Sequence, residues 1–74
     1  MKLFSKSDEI ICTEFVRKEM AKNYVTVNDD ILKEIVQDII NITYAKGGGT
    51  RDIFQSFAKA YIERGLYKKI LKEK

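Results

Sequence analysis

Histidine is absent from these 74 residues, cysteine occurs once, and no apolar run approaches the roughly 20 residues that a membrane span needs. Each absence removes a class of explanation. Without imidazole, and with Cys12 alone, the remaining side chains are a poor ligand set for zinc or another transition metal, and no internal disulfide can form. The opening residues, Met1 to Lys6, lack the long apolar segment of a signal peptide. The expected setting is therefore cytoplasmic and reducing, with no membrane partner, no metal and no cofactor. Cys12 is expected to be a small core residue there, since a reactive thiol needs a neighbouring base. The same shortage of chemistry points away from an enzyme, because no nucleophile–base pair can be assembled from one cysteine and dispersed carboxylates.

What is present is an apolar fraction of 45%, ordinary for a folded domain. A chain this short forms one domain, residues 1 to 74, and buries only about 60% of the surface that its unfolded form exposes. Such a domain is marginal alone. With disulfides and metals removed, oligomerisation is the supplement left. The expectation is a homodimer.

The net charge of +3 is unevenly spread. Residues 1 to 22 carry five basic and four acidic side chains, residues 23 to 45 one and four, and residues 46 to 74 eight and three. Basic character thus belongs to the C-terminal part, which suggests an anionic partner or simply a solvated basic face.

Residues 1 to 6 read as a loose start. From Ser7 to about Ala21 the apolar residues Ile10, Ile11, Phe15, Val16 and Met20 recur at three- and four-residue spacings, the pattern of a packing helix. Ser5 or Ser7 suits its N-cap, and Ser5 with Asp8 approximates a capping box. Between Lys22 and Asn28 the period changes to two: Val25 and Val27 point one way, and Lys22, Tyr24 and Thr26 the other. A lone strand leaves its N–H and C=O groups unmet, so the segment is either a linker or a strand paired with a second copy of itself.

Asn28 or Asp29 caps the next helix, which carries Ile31, Leu32, Ile35, Val36, Ile39, Ile40 and Ile42 up to about Tyr44. That stripe is too wide for a helix with one covered face. Asp30, Glu34 and Asp38 form its acidic, outward remainder. Gly47 to Gly49 break the helix, Thr50 caps a further one with Ile53, Phe54, Phe57, Ala58, Tyr61 and Ile62 on its apolar face, and Gly65 with Leu66 resembles a glycine C-cap with its trailing apolar contact. The basic tail from residue 65 to 74 is either a further short helical turn or a continuation.

This order of parts resembles the ribbon-helix-helix family of dimeric DNA-binding proteins. The resemblance covers residues 22 to 64 and leaves the helix at 7 to 21 as an addition. Tyr24-Val25-Thr26-Val27-Asn28-Asp29-Asp30 stands where the family has an alternating strand running into a capped helix. Gly47-Gly48-Gly49-Thr50-Arg51-Asp52-Ile53-Phe54 stands where it has a glycine, a Ser/Thr-rich turn and a second helix. Here the capping position is shifted, with Gly49 where the turn commonly opens on serine and Arg51 where the capping serine commonly stands.

The resemblance implies a mainly α, ribbon-helix-helix-like intertwined homodimer with at most one short strand per chain. Lys22, Tyr24 and Thr26 would face bases in the major groove. Lys46, Gly49, Thr50 and Arg51 would hold backbone phosphate at a helix N-terminus. Val25, Val27, Ile31, Ile35, Ile39, Phe54, Phe57 and Tyr61 would form the dimer core. The implied function is a small transcriptional regulator binding double-stranded DNA. The competing expectation is an all-helical homodimer that binds a protein partner, with residues 22 to 28 as a connector and an apolar groove for a partner helix.

Overall fold

The computed structural model describes residues 5–48 and 50–72. Four helices account for most of them: α1 (Lys6–Lys22), α2 (Asp29–Lys46), α3 (Arg51–Glu63) and the single-turn α4 (Lys68–Lys72). The mainly α expectation holds. Local chemistry sets the boundaries. Ser5 and Asp8 form a full capping box at α1, in which the Asp8 N–H donates to Ser5 Oγ at 3.1 Å and the Ser5 N–H donates to Asp8 Oδ2 at 3.1 Å. Asn28 Oδ1 accepts from the Ile31 N–H at 2.9 Å to start α2, and Thr50 Oγ1 accepts from the Ile53 N–H at 3.2 Å to start α3.

Helix α2 is the central element. It buries Leu32, Ile35, Val36, Ile39, Ile40 and Thr43, and α1, α3 and α4 all pack against it. Its wide apolar stripe is therefore covered by three helices of the same chain. The width of the stripe therefore does not by itself require a second chain. Thr43 is buried without penalty because its hydroxyl donates to the Ile39 carbonyl at 2.8 Å. From α1 the core takes Cys12, Val16 and Met20, and from α3 it takes Phe54, Ala58, Tyr61 and Ile62. The Cα radius of gyration, 11.4 Å, matches the value of about 11 Å expected for a compact chain of this length.

Ile10 and Ile11 do not join that core. Both are exposed, Ile10 by 61%. The buried stripe of α1 runs Cys12-Val16-Met20, and at about 100° per residue Ile10 lies some 200° away from Cys12. The tail takes the first of its two expected forms, a further short helical turn after the Gly65 cap. Gly65 (φ 70) closes α3 with a Schellman pair, Leu66 N–H to the Tyr61 carbonyl at 3.1 Å and Gly65 N–H to the Ile62 carbonyl at 3.0 Å. Leu66 itself stays exposed, and Tyr67 and Ile70 turn inward instead, seating α4 on α2.

The segment between α1 and α2 is not a strand, and no described residue is. It opens with a second Schellman motif: Val25 N–H reaches the Met20 carbonyl at 2.9 Å and Tyr24 N–H the Ala21 carbonyl at 3.0 Å. The left-handed position of that motif, usually glycine, is occupied by Tyr24 (φ 61). After it the chain runs without regular secondary structure to Asn28, with Val25 and Val27 half-buried against the core and Tyr24 and Thr26 outside. Two backbone donors that a paired ribbon would draw on are thus already committed to α1. The alternation of the side chains survives, while the hydrogen-bond pattern of a strand does not.

Tyr24 holds a backbone conformation that costs an L-residue about 1 kcal/mol, and its side chain is 97% exposed, so it gains no packing in return. Tyr24→Gly should therefore stabilise the fold by about 0.5–1 kcal/mol, and Tyr24→Val should destabilise it by at least as much. Urea titration followed by far-UV circular dichroism measures both.

Candidate functional site

The residues expected to bind DNA fall into two groups at opposite ends of α1. Lys22, Tyr24 and Thr26 are exposed at its C-terminal end, where Lys22 Nζ lies 3.5 Å from Glu19 Oε1. Thr50 and Arg51 lie at the other end, because Arg51 Nε sits 3.6 Å from Asp8 Oδ1 in the first turn of α1. Fourteen residues of helix separate Asp8 from Lys22, a span of about 21 Å. One chain does not bring the base-facing and phosphate-facing sets together.

At the N-terminus of α3 the anion beside Arg51 is the chain's own. The Asp8 carboxyl is lowered below its ordinary value by the Ser5 N–H, then by the Ser5 hydroxyl, with Arg51 adding to them. Thr50 spends its hydroxyl oxygen on capping, and Lys46 is exposed at the end of α2. Gly49 lies outside the described residues. Gly47 (φ 153) and Gly48 (φ 141) both donate to the Thr43 carbonyl, at 3.2 and 3.1 Å, so these two glycines close α2.

The expected dimer-core set is found inside one chain. Ile35, Ile39, Phe54 and Tyr61 are fully buried, and Val25, Val27, Ile31 and Phe57 are half-buried against them. Tyr61 has a role that its place on an apolar face did not suggest. Its hydroxyl donates to Asp38 Oδ2 at 2.7 Å, and Lys69 Nζ reaches the same oxygen at 3.0 Å. Asp38 thereby ties α2, α3 and α4 together. In the sequence it belongs to an outward acidic stripe, and Asp30 and Glu34 are indeed exposed, whereas the Asp38 side chain is only 26% exposed. Its partners lie 23 and 31 residues away, so no local spacing announces them.

Besides Asp8, two groups have perturbed acidity, and both are made less reactive. Burial, then the nearby Asp8 and Glu9 charges, pushes the Cys12 thiol from its ordinary 9.0 up to about 11. Burial, then the hydrogen bond to Asp38, pushes the Tyr61 hydroxyl up as well. Both stay protonated at neutral pH. Among the described residues no group of three Cys, Asp or Glu side chains is placed to hold a metal ion.

An open groove of about 490 Å³ lies between α1 and α2. Ile10, Val36 and Ile40 give it an apolar lining, and Lys6, Glu14 and Lys33 stand among its charged rim residues. The sequence does not announce it, because Ile10 shares the helical period of the packing residues of α1 and only the way α1 meets its neighbours leaves it outside. A smaller hollow of about 300 Å³ lies where α1 meets the connector, lined by Met20, Val25, Val27 and Leu32 and bridged by Arg17 and Asp29 at 3.5 Å. No protein-family model, curated protein or solved structure matches this chain.

The buried thiol gives a pH dependence whose sign follows from proton counting. In the unfolded chain Cys12 loses its proton from about pH 9, whereas the folded chain holds it to about 11. The native state binds more protons in that window, so stability falls as pH rises from 9 to 11. Cys12→Ala should flatten this decline, and Tyr61→Phe should remove a further part that begins near the ordinary tyrosine value of 10.0. Thermal melting from pH 7 to 11 on the three chains tests it.

Proposed function

We propose that this chain is a non-enzymatic helical module that binds another polypeptide along the groove between α1 and α2. The observation that carries this reading is Ile10, 61% exposed beside Val36 and Ile40. An isoleucine facing water gains nothing for the single chain, but it stabilises a complex when a partner covers it. The groove between two helices suits a partner helix laid along it, with apolar anchors in the lining and polar contacts at the rim. The protonated, buried state of Cys12 and Tyr61 fits a module that works by contact rather than by catalysis.

A second reading, the DNA-binding regulator, keeps one observation in its favour. Lys22, Tyr24 and Thr26 face outward while Val25 and Val27 face inward, the order of sides that a groove-reading ribbon requires. To form that ribbon with a second copy, α1 would first have to release the Tyr24 and Val25 N–H groups from its cap. That cost makes the helical module the better supported of the two.

Amine cross-linking in cells that make this chain, followed by mass spectrometry, tests the first reading. Lys6 and Lys33 on the groove rim should be linked to another polypeptide, and Ile10→Asp should remove those links while leaving the links within the chain. Rim lysines linked only within their own chain, or links unchanged in Ile10→Asp, would contradict it. For the second reading, saturable, salt-dependent binding to mixed duplex DNA that weakens on Thr26→Ala and Arg51→Ala is the required result.

A further inference from the structure

We infer that the polypeptide occupying this groove is a second copy of the same chain, with the two α1 helices packed antiparallel about Ile10. The inference rests on the interaction-module reading above and names its partner. Along one face of α1 the residues at four-residue spacing are Lys6, Ile10 and Glu14, a cation, an exposed apolar residue and an anion. All three line the α1 side of the groove.

A twofold interface must fit its own surface, each residue meeting the residue that meets it in return. If the axis passes at Ile10, the two isoleucines touch, Lys6 faces the partner's Glu14 about 6 Å to one side, and Glu14 faces the partner's Lys6 at the same distance on the other. The parallel arrangement is excluded by the same residues, since it sets Lys6 beside Lys6 and Glu14 beside Glu14. Antiparallel packing therefore has opposite charges at both flanks and apolar contact at the centre.

The rim as a whole supports a copy over other occupants. Its charged residues are Lys6, Lys33, Glu9 and Glu14, two of each sign, on a chain whose net charge is +3. A neutral rim offers no net attraction to an acidic peptide, a phosphate backbone or an anionic lipid surface, and it spares two cationic chains their mutual repulsion. Glu14 is free to turn to a partner, because its contact with Arg17 is long, 3.8 Å, between two half-exposed side chains. A single exposed isoleucine with two flanking ion pairs makes a small interface, so the dimer should be weak, with a dissociation constant on the order of tens of micromolar.

Sedimentation equilibrium over a concentration range from about 5 to about 500 μM tests this directly. The wild-type chain should pass from the mass of one chain toward twice that mass. Ile10→Asp should remain a monomer throughout, with an unchanged far-UV spectrum. Lys6→Glu alone and Glu14→Lys alone should each weaken association about tenfold or more, an equimolar mixture of the two should associate again, and the double variant should regain self-association. These charge variants decide the matter even if Ile10→Asp folds poorly, because both positions are solvent-exposed. A wild-type chain that is monomeric at the highest concentration overturns the inference, as does a dimer that survives Ile10→Asp or a mixture that fails to associate. A monomeric chain whose groove lysines are still linked to a different polypeptide in cells would overturn the second copy alone and leave the interaction-module reading standing.

Discussion

Every other part of this molecule depends on the burial of α2 on three sides. A helix that carries Leu32, Ile35, Val36, Ile39 and Ile40 exposes too much apolar surface for one neighbour to cover. Helix α1 covers one flank with Cys12, Val16 and Met20, and α3 covers another with Phe54, Ala58 and Tyr61. The short α4 closes the remainder with Ile70, held in place by Lys69 on Asp38. The glycine turn after α2 and the glycine cap after α3 serve this arrangement, because each reverses the chain tightly enough to lay the next helix back on α2.

Much of this was legible in the sequence where the physics is local. The Ser5–Asp8 capping box, the Asn28 and Thr50 caps and the Gly65 stop all follow from a side chain and the backbone groups within a few residues of it. The core faces of α2 and α3 follow from helical period, and Cys12 is the small core residue that its isolation suggests. The connector was not legible. Tyr24-Val25-Thr26-Val27 alternates as a strand would, and only a tyrosine in a left-handed backbone position, where glycine is usual, reveals that α1 ends in a Schellman motif. Likewise Ile10 counts as helical-period apolar residue in the sequence, and the register that puts it outside is set by which stripe of α1 meets α2 and α3. Asp38 was hidden for the same reason, since its partners are brought to it by the return of the chain.

The charges divide the surface in a way that bears on partners. Arg51, the cation expected at a phosphate, lies against Asp8, and Lys69 and Arg17 lie against Asp38 and Asp29 of the same chain. These are exposed or half-exposed pairs, worth little to stability individually, yet the pair of Arg51 with Asp8 lowers the positive potential where phosphate would approach. The groove beside Ile10 shows the opposite economy, with apolar surface left uncovered inside a rim of balanced charge. That contrast is the reason the proposed reading looks to the groove between α1 and α2 rather than to the connector.

The central claim is that one chain closes its own core around α2. Amide hydrogen exchange, read at residue level by NMR or mass spectrometry at low and at high protein concentration, tests it most directly. Ile35, Val36, Ile39 and Ile40 should be among the slowest-exchanging amides, with protection that does not change on dilution. Protection of α2 that is lost on dilution would contradict it, because the core would then be built by association of two chains.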